Sequence, residues 1–246
     1  MRSGELFNLT SGFHQLSTEE KPVLTKEILD ALRNFADGMQ RRIRFVVQTG
    51  SHSKREEMVD FLTQITSVSD KLSLEEKQAG LRSPISFTLE ADDQPTGIEF
   101  SGIPGGHEFN SLVLAMLQSS GTPIKLDTSV QTLIRNIQQP LKFEVFISLS
   151  CHNCPDVVQA LNQFALLNRN ITAEMVDGGL FQNIVEERDI QGVPSVYLNG
   201  ELFANGKVDA AQLVDKLIEK FPEATQQGTD STPLPEQDVT VVGGGP

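Results

Sequence analysis

The only two cysteines of the chain, Cys151 and Cys154, stand where an alternating apolar run, Phe143-Val145-Ile147, gives way to a helical pattern. Alternation marks a strand and a 3.6-residue period marks a helix, so Lys142–Ala160 reads as strand, turn, helix. At this spacing, with the first sulfur at a helix start, the pair closes a ring without straining the backbone. The unpaired N–H groups and the positive end of the helix dipole favour a thiolate on Cys151. A lowered pKa makes Cys151 the nucleophile and the better leaving group in exchange. Cys154, one turn inward, is the resolving thiol. Pro155 suits a first helical turn, where a missing N–H costs little. The plainer alternative is two reduced, buried cysteines acting as small apolar residues, but a strand–CxxC–helix context speaks for a working dithiol. No metal site is expected, because Cys151, His152 and Cys154 offer at most three ligands where zinc takes four.

The pattern around this junction occurs twice. Periodicity predicts a helix over 26–39, a strand over 43–47, a helix over 54–69, a short strand over 71–74, strands over 84–89 and 97–100, and a helix over 107–117. The second series has a helix over 128–138, a strand over 143–147, and a helix over 155–167. A strand over 171–176, a short helix over 180–188, a hairpin over 195–203 around Asn199-Gly200, and a helix over 211–221 complete it. At an offset of 100, Ile43–Val47 lies on Phe143–Ile147 and His52 on His152. Pro84-Ile85-Ser86-Phe87 answers Pro194-Ser195-Val196-Tyr197. Agreement of element order as well as residues points to a duplication. Mapped across, Cys151 falls on Ser51 and Cys154 on Lys54, so the first half has the frame without the dithiol.

Composition narrows the function. Hydrophobic residues at 38% and charged residues at 22% suit packed cores. The net charge of −13 argues against nucleic acid, whose binders need surplus Lys and Arg. No apolar run reaches membrane-spanning length, and the first residues lack an export pattern, so a soluble cytoplasmic protein is expected. Residues 222–237 are Pro-, Thr- and Gln-rich and read as a linker.

Pro194 opens a strand beside the dithiol, in Gly192-Val193-Pro194. It is a candidate cis peptide, leaving the preceding backbone free to pair with an incoming chain; an ordinary trans proline is the alternative. His152 either tunes the thiolate through partial positive charge or is simply an exposed helix-start residue.

The stretch Ser148–Asn162, SLSCHNCPDVVQALN, resembles the N-terminal redox module of the AhpF family, the flavoprotein component of alkyl hydroperoxide reductase. So do Asp177–Gln182, Gly192-Val193-Pro194 and Gly106-His107-Glu108-Phe109. The likeness spans about residues 26–221. It implies an α/β protein of two tandem thioredoxin-like folds (βαβαββα type), only the second with a CxxC. The expected divisions are a flexible arm at 1–25, the first fold at 26–125, the second at 126–221, the linker, and at 238–246 the start of an FAD-binding domain. The family implies that NADH reduces FAD, FAD reduces a dithiol in the flavin half, and that dithiol reduces the N-terminal one, which then reduces an AhpC-type peroxiredoxin. By resemblance Cys151 is the attacking sulfur and Cys154 the resolving one. Thioredoxins carry a buried acid six residues before the first cysteine; here that position is Val145. The resemblance suggests Glu108, from the first half, as substitute, against the reading of a helix-start carboxylate helped by the dipole. Val239–Val242 with Gly243 and Gly245 resembles the opening of a flavin-binding Gly-x-Gly-x-x-Gly. Without the helix that should follow, neither FAD nor NAD(P)H is expected to bind this chain, and a homodimer is expected only of a full-length protein. Two other readings stay open: a stand-alone protein disulfide oxidoreductase, and a non-catalytic adaptor with an acidic docking surface.

Overall fold

The computed structural model describes residues 24–222; all but the last two residues of the predicted arm, all but the first residue of the linker, and Gly243 and Gly245 lie outside them. The first half contains α1 (Lys26–Asp37), β1 (Ile43–Gln48), α2 (Arg55–Thr66), β2 (Leu72–Lys77), β3 (Ser86–Ala91), β4 (Gln94–Ser101), a 3-10 turn (Gly106–Glu108) and α3 (Phe109–Ser119). The second contains α4 (Thr128–Asn136), β5 (Leu141–Ile147), α5 (Cys154–Leu167), β6 (Ile171–Asp177), α6 (Gln182–Glu187), β7 (Ser195–Leu198), β8 (Glu201–Asn205) and α7 (Ala210–Lys220). Local chemistry sets many of these bounds. The Thr25 hydroxyl accepts from the Ile28 N–H to cap α1, and Asp209 with Gln212 forms a capping box on α7. Asn199 and Gly200 both take positive φ, at 51° and 85°, as the tight turn between β7 and β8 requires.

The halves repeat one topology. β1 pairs parallel with β2 and antiparallel with β3; β5 pairs parallel with β6 and antiparallel with β7. The two sheets then merge. β4 lies parallel to β6, giving one eight-stranded sheet in the order β2-β1-β3-β4-β6-β5-β7-β8. Gly97, at φ +78°, permits this seam: a Cβ there would come within 2.5 Å of the Ile171 carbonyl oxygen.

The sequence match between Pro84–Phe87 and Pro194–Tyr197 does not survive as a structural equivalence. Phe87 sits opposite Val47, but Tyr197 sits opposite Glu144 rather than the Ile147 that the offset of 100 requires. Side chains alternate across a strand, so the odd slip puts the two aromatics on opposite faces of the sheet. Phe87 stacks on Phe100 at 5.1 Å in the core, whereas Tyr197 meets Phe146 edge-on at 5.6 Å on the other side. The predicted helix over 107–117 is also divided: His107 and Glu108 belong to the 3-10 turn, and α3 begins at Phe109.

One row across six strands is Val46, Thr88, Glu99, Glu174, Glu144 and Tyr197. Three carboxylates side by side repel, and Glu144 and Glu174 are buried. Arg82, from the loop between β2 and β3, answers them. Its Nε donates to Glu174 at 2.6 Å, and Nη2 donates to Glu174 at 2.8 Å and to Glu144. Arg188 donates to Glu144 at 2.9 Å and lies over the rings of Phe146 and Tyr197. Lys142 approaches Glu174 to 3.4 Å, and the Ser101 hydroxyl donates to it at 2.6 Å. Burial opposes charge on Glu174, but Arg82, Ser101 and Lys142 outweigh it and hold the carboxyl below the usual range. Burial pushes the Glu99 carboxyl up, with Lys142 only partly offsetting. A first-half arginine therefore clamps two second-half glutamates.

Candidate functional site

β5 runs through the middle of the second half and delivers the chain to the dithiol. The strand Leu141–Ile147 ends, Ser148–Asn153 turn, and Cys154 opens α5 with Asn153 at its N-cap and Pro155 in the first turn. Cys151 thus lies three residues ahead of the helix, and Cys154 is the first helical residue rather than a turn inward. The two are joined as a disulfide, with Cα atoms 5.5 Å apart. Cys154 is fully buried and Cys151 half-buried, so an incoming thiolate reaches Cys151 first. Its sulfur lies 3.8 Å from the Val193 carbonyl oxygen. Val193–Pro194 is a cis peptide, and the segment stands against the dithiol as its sequence position suggested.

The equivalent place in the first half is filled differently. Helix starts align Cys154 with Arg55, at an offset of 99 rather than the 100 that pointed to Lys54. The Arg55 Nη1 donates to the Gln48 carbonyl at 2.6 Å and to the Pro84 carbonyl at 2.7 Å, and its Nη2 to Glu76. A guanidinium bridges the end of β1 and the loop before β3 where the second half has its sulfurs.

The first half nevertheless reaches the dithiol. Its turn at Gly106–Glu108 docks on the loop before α5. The His107 N–H donates to the Leu149 carbonyl at 3.4 Å. Gly106, at φ +53°, approaches so closely that a Cβ would stand 2.7 Å from the same oxygen. The rings of His107 and His152 lie 4.2 Å apart, tilted 45°. Glu108 follows, wholly buried, and neither carboxyl oxygen has a hydrogen-bond partner among the described residues. Burial pushes its carboxyl up to about 7; the nearby Ser111 hydroxyl offsets part of this, and the negative charge of Asp156 in the first turn of α5 adds to it. Ser111 is itself hydrogen-bonded by the Gln159 amide of α5 at 3.3 Å. Val145, where a thioredoxin carries its acid, is a buried apolar residue. The arrangement combines an accessible disulfide sulfur, a buried second sulfur, and a buried carboxyl able to hold or release a proton near neutrality.

Cys151, Cys154 and Pro194 come together, and the turn that carries Glu108 joins them across the halves. Sequence reading missed His107 and Arg55 as contributors, and Arg82 behind the site. His107 had a signal, its place beside Glu108; Arg82, an isolated loop residue, had none. Among the described residues no group of three or more His, Cys, Asp and Glu is arranged to hold a metal ion. Nor is any helix among them long and apolar enough to cross a membrane.

Known proteins share this frame. Residues 141–219 match a thioredoxin domain family. The chain is 41% identical over 224 residues to the F subunit of alkyl hydroperoxide reductase from Staphylococcus aureus (strain NCTC 8325 / PS 47), covering 91% of this chain and 42% of that protein. It is 40% identical over 227 residues to a Bacillus subtilis (strain 168) protein named NADH dehydrogenase, covering 91% and 43%. The chain thus spans less than half the length of these curated relatives. The crystal structure of the NTD_N/C domain of alkylhydroperoxide reductase AhpF from Enterococcus faecalis (V583) superimposes with a TM-score of 0.73 at 31% identity, over 79% of this chain and all of that one.

Proposed function

The chain belongs to the AhpF family of alkyl hydroperoxide reductase flavoproteins, in which it corresponds to the N-terminal domain, and from that premise we propose that it is a dithiol–disulfide relay. It takes electrons from a dithiol in the flavin half of a full-length reductase and passes them to the disulfide of an AhpC-type peroxiredoxin, in the cytoplasm. FAD and NADH serve the flavin half; Gly243 and Gly245 lie outside the described residues, and no cofactor step is assigned to residues 24–222.

A donor thiolate attacks the Cys151 sulfur. The Cys151–Cys154 bond breaks, a mixed disulfide forms on Cys151, and Cys154 leaves as a thiolate. Glu108 supplies its proton, as its raised pKa of about 7 allows. The donor's second thiolate then attacks the donor sulfur of the mixed bond, releasing Cys151 as a thiolate and leaving the donor oxidised. Delivery to the peroxiredoxin disulfide runs the same steps in reverse: Cys151 attacks, Glu108 takes the Cys154 proton, and Cys154 resolves the mixed bond. Pro194, lacking an N–H, keeps the backbone beside Cys151 free to pair with the incoming chain.

The observation that carries this reading is the half-buried Cys151 over the buried Cys154, with an unpartnered carboxyl brought from the opposite half. The test mixes the pre-reduced chain with oxidised peroxiredoxin under stopped flow. Cys151→Ser should abolish transfer; transfer as fast as in the parent would refute the relay.

A further inference from the structure

Cys151 faces a backbone segment, Gly192-Val193-Pro194, that belongs to no helix or strand. We infer that Asn205 is a positioning residue for exchange with protein disulfides: by accepting the Ser195 hydroxyl it locks the end of the β7–β8 hairpin, which holds Pro194 and the Val193 carbonyl against the Cys151 sulfur. The inference rests on the relay reading and deepens it.

The hydrogen bonds run in one continuous line. Ser195 lies opposite Asn205 in the β7–β8 ladder, and its hydroxyl donates to Asn205 Oδ1 at 2.7 Å. The next residue, Gly206, at φ +73°, turns its N–H onto the Pro194 carbonyl at 2.8 Å. Pairing between β5 and β7 stops at Phe146 and Ser195. Beyond that point, among the described residues, the Gly206 N–H gives the only backbone hydrogen bond to Gly192, Val193 or Pro194. One carbonyl earlier, Val193 stands 3.8 Å from the Cys151 sulfur. Asn205 and Gly206 thus fix Ser195 and Pro194, and Pro194 carries Val193.

The brace is a feature of the frame rather than a surface accident. Ser195 is only 1% exposed, so its hydroxyl is costly to leave without an acceptor. The first half closes its own hairpin in the same way. There the Gly102 N–H donates to the Ile85 carbonyl at 2.9 Å, and the Ser86 and Ser101 hydroxyls lie 2.7 Å apart. That hydroxyl pair runs on to Glu174 within the sheet, in a half that has no cysteine. In the second half the acceptor is an exposed asparagine, and the segment it braces stands against the reacting sulfur.

When the Cys151 thiolate attacks a partner's disulfide, that bond breaks, a mixed disulfide forms, and the partner's other sulfur leaves as a thiolate. A protein substrate must lie along the Val193–Pro194 backbone for this attack, so misplacing that backbone slows it. A small disulfide reaches Cys151 without such pairing. The experiment therefore follows the reduced chain reacting with oxidised peroxiredoxin, with insulin and with hydroxyethyl disulfide. In Asn205→Ala and in Ser195→Ala, the rate constant for either protein divided by that for the small disulfide should fall about threefold to tenfold, the effect of one hydrogen bond. The double variant should lose no more than either single one. Asn205→Asp, which keeps an acceptor oxygen, should recover most of the loss. Urea unfolding reports stability separately, since a brace that served the fold alone would lower stability and leave the ratio at the parent's value. That outcome, or losses that multiply in the double variant, overturns the inference. A parent that reduces insulin but not peroxiredoxin would sink the relay reading, and the insulin ratio would then uphold or overturn this one.

Discussion

Replacing Glu108 by glutamine should raise stability relative to the parent as pH rises, while slowing the relay. In the unfolded chain this carboxyl ionises above its ordinary value of 4.5; in the folded chain, burial delays ionisation to about 7. Between those values the folded state holds a proton that the unfolded state has lost. A raised carboxyl pKa therefore gives a contribution that is fully favourable below the unfolded value and is lost as pH rises through the folded one. The gap of roughly 2.5 units corresponds to about 3 kcal/mol between acid and alkaline conditions. Glutamine has a similar shape and no charge to bury. Its amide has a desolvation cost of its own, but that cost does not change with pH, so the difference between two pH values isolates the carboxylate. The assay is urea unfolding of parent and Glu108→Gln, both oxidised, at pH 5 and pH 8. The variant's stability relative to the parent should rise by about 2–3 kcal/mol between them. A difference that stays constant would show that Glu108 titrates as an ordinary surface carboxyl and that its burial has been misjudged.

The clamp across the halves gives a second expectation. Arg82→Met leaves buried Glu174 to Ser101 and Lys142 and buried Glu144 to Arg188, and should destabilise the chain by about 2–4 kcal/mol in urea unfolding; a loss below about 1 kcal/mol would show that the clamp contributes little. Because the Glu174 carboxyl is held low, its contribution is present above the unfolded carboxyl value and disappears as pH falls through the folded one. The gap between parent and Arg82→Met should therefore narrow in acid. Gly106→Ala meets both a positive φ and a 2.7 Å clash with Leu149, so about 1–3 kcal/mol of stability should be lost together with slower peroxiredoxin reduction; unchanged values for both would mean that the turn is loosely docked. Asp209→Ala removes the α7 cap and should lower stability by about 1 kcal/mol without affecting transfer, as paired unfolding and stopped-flow measurements would report.

What the sequence reveals here is local and periodic. The alternation of Phe143, Val145 and Ile147, the two cysteines and Pro155 lie within one strand–turn–helix, and neighbouring residues suffice to place them. The order of elements in each half is readable for the same reason. Pairing between distant strands is not. Nothing near Ile98 or Ala173 announces that β4 will lie against β6, because that choice is made by shape when two half-sheets meet. Glu99, Glu144 and Glu174 follow from the seam: alternation marks them as the polar, outward positions of half-buried strands, yet the merged sheet buries two of them and gathers all three in a row. Their need for Arg82 is invisible until then. The slip at Pro84 has a related cause. Residue likeness carries no information about which face a side chain takes, and Phe87 and Tyr197 look alike while pointing apart. Glu108 is reached through family likeness, since the turn that carries it meets the loop before α5 only where the two halves come together.

The relay stands or falls on a division of labour in which Cys151 is the sulfur that bridges to the partner and Cys154 the one that frees it. Trapping the bridge separates the two roles. Oxidised peroxiredoxin is mixed with the reduced Cys154→Ser chain and the products are separated on a non-reducing gel. A covalent one-to-one complex joined through Cys151 should form, cleaved by dithiothreitol and absent when Cys151→Ser is used instead. A complex formed equally well by Cys151→Ser, or none formed by Cys154→Ser under conditions where the parent transfers electrons, would refute that division.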